Sequence, residues 1–315
     1  RKMARHNLAF LYGFVTFVQT STLKNGEPFV LAFVTVARAQ RNAGDHKEHL
    51  KLDNPAIMSR DPKIVMEMSK WEEYDFVEIK GTIAATPMAK VSNCTNSKCG
   101  AKNIRDGAMV YINPIFAKKR VHFSSQEECM EHLTENREIS NQVFVLGTLC
   151  TDPKKKSLKE GLILTQYQIA LNRKYRIRSD PPERRSDYPW VKSYGENAIQ
   201  DRTHLHIGSE VFIDGCLQAR KVNRHDTCDE CHENYDWADR ALEIVPFETE
   251  YVANYYTQEE YEAKIQKERE KASENVLTSL FGYDSDNAAS SLDSNNVPDD
   301  VYSQEDIDAG IESEE

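Results

Sequence analysis

Runs of β-branched and aromatic residues, partly alternating with polar ones, mark most of the chain. Leu8–Val18, Phe29–Arg38 and Phe76–Ala84 are such runs, and Val143–Leu149, Ile163–Asn172 and Val211–Ala219 are three more. A period of two in residues of this kind predicts strands. Lys24-Asn-Gly-Glu27 and Lys159-Glu-Gly161 supply turns between the first two strands of each set. Helical spacing is restricted to a few places. Glu67–Tyr74 and Glu196–Leu205 each precede a late strand. Ser125-Gln-Glu-Glu128 is a capping box opening a helix to Asn136, and Thr257-Gln-Glu-Glu260 opens another over Glu259–Leu280. The second of these ends on the apolar group Val276, Leu277, Leu280 and Phe281.

The two sets of strands are one unit written twice. Asn7-Leu-Ala-Phe-Leu-Tyr-Gly13 returns as Asn141-Gln-Val-Phe-Val-Leu-Gly147, an offset of 134. Val77-Glu-Ile-Lys-Gly81 returns as Val211-Phe-Ile-Asp-Gly215, and Cys94 as Cys228, at the same offset. Cys99 and Pro114 fall on Cys231 and Pro246 at 132. So many coincidences in one register indicate tandem duplication. Five short strands with one helix before the fourth predict a small Greek-key barrel in each half.

Charge changes the picture of what such barrels meet. The 315 residues carry 40 Lys+Arg against 51 Asp+Glu, a net charge of −11, which taken whole argues against a polyanion as ligand. Residues 284–315, however, hold 11 of the acids and no Lys or Arg, so the rest of the chain is neutral. This tail is predicted to be disordered. No apolar run approaches the ~18 residues that would span a bilayer, and no secretory signal is visible, so a membrane protein and a secreted precursor are excluded for this sequence. Seven cysteines without a signal sequence point to thiols or a metal site in a reducing cytoplasm rather than a disulfide framework.

In the second half, Asn141-Gln-Val-Phe-Val-Leu-Gly-Thr-Leu, Asp152-Pro153, Tyr167-Gln-Ile-Ala-Leu-Asn-Arg, Val191-Lys-Ser-Tyr-Gly-Glu-Asn-Ala and Gly208-Ser-Glu-Val-Phe-Ile-Asp-Gly-Cys-Leu-Gln-Ala-Arg occur in order. Together they resemble the bacterial and phage single-stranded DNA-binding proteins over Asn141–Val252, and the first half inherits the resemblance through the repeat. The resemblance implies a mainly β chain of two tandem OB-folds with short helices and a disordered acidic C-terminal tail. The expected divisions are a first OB-fold with a cysteine knuckle (1–123), a helical linker (124–138), a second OB-fold with a knuckle (139–255), a helix (256–282) and the tail (283–315).

Single strands are held by aromatic faces on which bases stack and by cations that follow the phosphates. The resemblance places the family's stacking positions on Tyr175, Tyr188 and Tyr194, with Trp190 on the same face, while its fourth-strand aromatic position holds Val222. Residues 153–192 carry 11 Lys/Arg against four Asp/Glu, interleaved with the tyrosines. The expected strand contacts are Arg173, Lys174, Tyr175, Arg176, Arg178, Tyr188, Trp190, Lys192, Tyr194, Arg220 and Lys221. In the first half, Gln40, Asn54, Arg60 and Met88 occupy the four aromatic positions. Arg38, Arg41 and Arg60 there are expected to touch phosphates only, which makes the second barrel the main strand binder and the first a structural, dimerising or auxiliary unit.

Cys228-Asp-Glu-Cys231 has the spacing of a metal knuckle, and Cys94-Thr-Asn-Ser-Lys-Cys99 is a looser one. A structural zinc takes four ligands, so either Cys94, Cys99, Cys228 and Cys231 share one ion or each pair recruits a neighbour such as His225 or His232. Cys150 and Cys216 are expected to be small core residues in strands, and Cys129 to lie on the linker helix. No P-loop, Gly-x-Ser-x-Gly, His-Glu-x-x-His or deaminase signature is present, so no enzyme is expected.

The expectation is a protein that coats single-stranded DNA without sequence preference in replication, recombination or repair. The resemblance implies a homodimer that brings four OB-folds together, and a location in the cytoplasm, at the bacterial nucleoid or in a phage-infected cell. The acidic tail is expected to engage replication or recombination proteins, although the chain ends Gly310-Ile-Glu-Ser-Glu-Glu315 rather than in the family's acid-then-Pro-Phe tip. The rivals are an OB-fold protein-interaction scaffold with a structural zinc and an RNA-associated OB protein.

Overall fold

In the strand Asn141–Leu149 every second residue is fully buried, and this alternation is what turns an apolar-polar run into a barrel wall. Burying one Val or Leu of such a wall is worth about 1.5–3 kcal/mol. The computed structural model describes residues 5–39, 50–157, 163–178, 180–181 and 183–281. The predicted turn at Lys159–Gly161, Arg41 and the acidic tail lie outside these residues.

The first half contains β1 (Asn7–Thr22), β2 (Pro28–Ala37), β3 (Leu52–Asp53), β4 (Ala56–Ser59), α1 (Pro62–Met68) and β5 (Asp75–Pro87). The hairpin β6 (Lys90–Asn93) and β7 (Lys102–Arg105) precedes β8 (Ala108–His122). The strands close as β1-β2-β4-β8-β5, with only β4 and β8 parallel. Two short helices follow, α2 (Gln126–Glu135) and α3 (Arg137–Ser140). The second half repeats the plan with β9 (Asn141–Leu149), β10 (Lys154–Ser157), β11 (Ile163–Asn172), β12 (Ser186–Asp187), β13 (Trp190–Tyr194), α4 (Gly195–His204), β14 (Glu210–Thr227) and β15 (Asn234–Ala253). Its ring is β9-β11-β13-β15-β14, again with one parallel pair, β13 and β15. A last helix, α5, runs over Gln258–Phe281. Two five-stranded barrels, each with a helix before its fourth strand, are tandem OB-folds.

The first helix lies earlier than the expected Glu67–Tyr74. Helix α1 begins at Pro62 because Asp61 caps it, accepting hydrogen bonds from Lys63 N and Ile64 N, and it stops at Met68 instead of continuing to Tyr74. Tyr74 itself has φ +69°. Cys150 likewise lies just past the end of β9 rather than within it.

The barrels are joined about a local pseudo-twofold axis. Strands β1 and β9 run antiparallel, pairing Asn7 with Val145 and Leu11 with Asn141, so both barrels belong to one 13-stranded sheet. Asn7 exchanges two hydrogen bonds with the Ile83 backbone, and Asn141 exchanges two with Leu217, all at 2.9 Å. The repeated glycines permit close strand crossings. A Cβ on Gly13 would stand 2.0 Å from the Thr35 carbonyl oxygen, and one on Gly215 2.3 Å from that of Val245.

Candidate nucleic-acid interface and four-cysteine site

Outside the second barrel, β13 presents Trp190, Lys192 and Tyr194 on the face opposite Val191, which enters the core. Their partners on β11 are Gln168, Gln166 and Leu164. Trp190 is half-buried and borders a cleft of about 320 Å³ that also touches Val110 of the first barrel and Arg224 and Arg240 of β14 and β15. Tyr188, just ahead of β13, is 53% exposed. The loop after β11 carries exposed Lys174, Arg176 and Arg178 around half-buried Tyr175, with Lys174 Nζ 5.7 Å from the Tyr175 ring. Lys221 is exposed on β14, whereas Val222 is fully buried and offers no surface to a base.

Four of the cations expected to reach phosphates are spent on carboxylates inside the protein. Arg173 donates to Asp187 (2.5 and 2.7 Å) and to Asp180 (2.6 Å), and its side chain is almost fully buried. Arg38 repeats this in the first barrel, donating to Asp53 at 2.7 and 3.0 Å. Arg220 grips Glu243 with two bonds of 3.0 Å, and Lys192 Nζ lies 3.0 Å from the same carboxylate. Such pairs leave little for a phosphate, which corrects the expectation for these four residues. The Tyr194 hydroxyl donates to Gln218 at 2.9 Å, and burial pushes its pKa up. Arg60 closes β4 half-buried beside Ile177 and Asp180 of the second barrel's loop.

The Asp residues of these pairs also connect the barrels. Asp187 accepts a hydrogen bond from Ala85 N at 2.9 Å, and Asp53 accepts one from Ala219 N at 2.8 Å. Each loop anchor is thereby tied to the other barrel. The charge pattern of the sequence does not reveal this, because the partners of the two pairs lie 15 and 14 positions apart and meet only in the folded chain.

The long β14–β15 hairpin lays its tip on β6–β7 of the first barrel. Ser92 and Tyr235 share a 2.7 Å hydrogen bond, Lys90 pairs with Asp239 at 2.6 Å, and Arg105 holds Asp229 with bonds of 2.7 and 2.9 Å. At this contact the sulfur atoms of Cys94, Cys99, Cys228 and Cys231 all lie within 4.8 Å of one another. The duplicated pairs interleave, with Cys94 Sγ 3.7 Å from Cys231 Sγ and Cys99 Sγ 3.8 Å from Cys228 Sγ. A tetrahedron with ~2.3 Å metal–sulfur bonds has edges of about 3.8 Å, so this cluster can hold one metal ion between the barrels. The arrangement favours the shared site over two separate ones.

Local geometry suits thiolate ligands. Backbone N–H groups of Cys231 and Glu230 aimed at the Cys228 sulfur hold its thiol down to about 6, and Asn103 Nδ2 donates to the same sulfur at 3.7 Å. The Asn96 backbone N–H favours the Cys94 thiolate, yet burial and the neighbouring sulfurs push that thiol up to about 12. A cation among the four removes this conflict of like charges. Gly100 with φ +58° and His232 with φ +59° turn the two knuckles.

The single-strand binding protein family matches residues 140–234. The single-stranded DNA-binding protein of Aquifex aeolicus is 31% identical over 81 residues, which is 26% of this chain and 55% of that protein. Single-stranded DNA-binding protein 1 of Chlorobaculum tepidum is 25% identical over 89 residues, 28% of this chain and 55% of that protein. The chain thus spans about half the length of the curated relatives it matches. Among solved structures, a deletion variant of the Thermus aquaticus single-stranded DNA binding protein superposes with a TM-score of 0.53 at 16% identity, covering 82% of this chain and all of that one. The wild-type Thermus aquaticus protein gives 0.53 at 15% identity over 81% and 97%. That coverage exceeds either barrel alone, so the likeness in fold extends to both. The second barrel, over residues 140–234, is thus the part of the chain that matches the single-strand binding protein family.

Proposed function

We propose that the protein binds single-stranded DNA without sequence preference, in replication, recombination or repair, by stacking bases on Tyr175, Tyr188 and Trp190. Lys174, Arg176, Arg178 and Lys221 follow the phosphates, and Arg60 extends the cationic edge. The observation that carries this reading is the placement of exposed Lys174, Arg176, Arg178 and Lys221 and of partly open aromatic rings together on the barrel that matches the family. Arg38, Arg173, Lys192 and Arg220 position the surface without touching the strand, and Tyr194 buttresses it. The role is binding rather than catalysis.

The four cysteines hold one structural Zn2+ per chain, an all-sulfur set of the kind that closed zinc sites use. The ion fastens the β14–β15 hairpin of one barrel to the β6–β7 hairpin of the other. A homodimer would present four OB-folds, and the outward face where β1 meets β9 offers it a surface. Phe10 and Phe144 meet there edge to face at 6.1 Å. Among the described residues no helix is long and apolar enough to cross a membrane. The acidic tail acts as a tethered competitor for the cationic surface and a hook for basic sites on replication or recombination proteins.

Titration of the intact chain with an oligo-dT tests the strand-binding role. Tyr175→Ala and Tyr188→Ala should each weaken binding about 5- to 100-fold, the worth of one stacked base. Unchanged affinity in both would refute this surface.

A further inference from the structure

The first barrel has no aromatic residue at the positions the second barrel uses, yet it has aromatic rings elsewhere on the same outer face. Along β2, Val30, Ala32 and Val34 enter the core, so Phe29, Leu31 and Phe33 point outward. The register of the β1–β2 pair sets Phe17 directly across from Phe33, with ring centroids 5.8 Å apart. Phe17 is 43% exposed. The repeat puts Gln168 where Phe33 stands and Gln166 where Leu31 stands, and those glutamines lie opposite Trp190 and Lys192. The duplicated barrels have therefore moved their aromatic rings to different strands of one face, β13 in the second and β2 with β1 in the first.

Arg240, from β15 of the second barrel, connects these two surfaces. Its guanidinium lies 4.4 Å from the centre of the Phe33 ring, and the same side chain borders the cleft lined by Trp190. The group donates to the backbone carbonyl of Asn54 at 3.2 Å, an uncharged acceptor that leaves its positive charge in place. A cation stacked on one ring and bordering the cleft of another, with an open phenylalanine beyond, matches alternating phosphates and bases.

Resting on the strand-binding reading above, we propose that the first barrel carries its own base-stacking surface, formed by Phe17 and Phe33. A single strand of DNA passes from the Trp190 cleft over Arg240 to reach it. The occupant is a polyanion with flat rings, because the surface combines the exposed Phe17 ring, the half-buried Phe33 ring and a guanidinium with no carboxylate partner among the described residues, and continues the proposed site of the second barrel.

The test uses the full chain with Phe17→Ala and Phe17→Tyr, and two oligo-dT lengths. One of about 8 nucleotides fits a single OB-fold, and one of about 30 spans both. Phe17→Ala should weaken the longer oligomer on the order of 5- to 100-fold with a much smaller effect on the shorter, and Phe17→Tyr should restore binding. Equal affinity of Phe17→Ala and wild type for the longer oligomer, while Tyr188→Ala weakens both lengths, overturns the proposal and leaves the second-barrel site standing. Absence of oligo-dT binding by the wild type removes both. A change in oligomeric mass of Phe17→Ala without DNA, measured by sedimentation, would assign the surface to a second copy of the chain and overturn the proposal.

Discussion

Asp187 ties the Arg173 anchor of the second barrel to the backbone of the first, and Asp187→Ala measures what that tie is worth. Its carboxylate is fully buried and accepts from Arg173 twice, at 2.5 and 2.7 Å, and from Ala85 N of the other barrel at 2.9 Å. Removing it leaves the Arg173 guanidinium with Asp180 at 2.6 Å and strands an amide between the barrels. Breaking a buried ion pair from one side costs about 3–5 kcal/mol, and a buried unsatisfied amide about 1–3 kcal/mol. The surviving Asp180 contact and entering water offset part of this, so a net loss of about 3–4 kcal/mol is expected. That is a large share of the ~5–15 kcal/mol that holds a typical domain. Urea unfolding monitored by circular dichroism reads it as a lower midpoint at unchanged slope. Oligo-dT affinity should fall as well, because Arg173 anchors the loop that bears Tyr175. Asp187→Asn, which keeps an acceptor for Ala85 N but loses the charge, should fall between the two. A loss below about 1 kcal/mol for Asp187→Ala would show that the pair does not anchor the loop and return Arg173 to the phosphates.

Three further outcomes are expected. Elemental analysis should find one zinc per chain in the wild type and none in Cys228→Ser; two zinc ions per chain would contradict the shared site. Asp201, buried and hydrogen-bonded by Tyr167 and Tyr251, has its carboxyl pushed from 3.8 to about 6, chiefly by burial. Its protonated form suits the folded state, so its contribution is complete below pH 3.8 and is lost as pH rises through about 6, on the order of 3 kcal/mol. Asp201→Asn should flatten the stability profile across that window, and an unchanged profile would count against it. Deleting residues 284–315 should tighten oligo-dT binding at low salt, and equal affinity would dismiss the tail as a competitor.

Much of the fold was legible because duplication wrote each constraint twice. Asn7 and Asn141, Gly13 and Gly147, and Gly81 and Gly215 stand out as repeats; each asparagine bonds a neighbouring backbone, and each glycine sits where a Cβ would clash. The capping boxes also read directly. The Ser125 side chain accepts from Glu128 N, and Thr257 and Glu260 bond each other's backbone. Helix α1 was misread because its signal is one aspartate ahead of a proline, weaker than the acidic run that follows. At the candidate site, residue type showed where cations cluster but not which are neutralised. Arg173 and Asp187 lie 14 positions apart and meet only when the loop folds back. The alternation of β2 showed a strand, yet apolar residues on both of its faces hid which one points outward. The shared cysteine site was one of two readings because spacing along a chain does not say which pairs meet across a pseudo-twofold axis.

On the proposed reading, this chain holds single-stranded DNA by stacking and charge together. Fluorescence titration of the full chain with oligo-dT and with a duplex of the same length, at two salt concentrations, tests it most directly. Quenching of Trp190, preference for the single strand, and an affinity that falls as salt rises while phosphate contacts are exchanged for counterions are the expected results. Equal binding of duplex and single strand, or no binding to either at low salt, would contradict it.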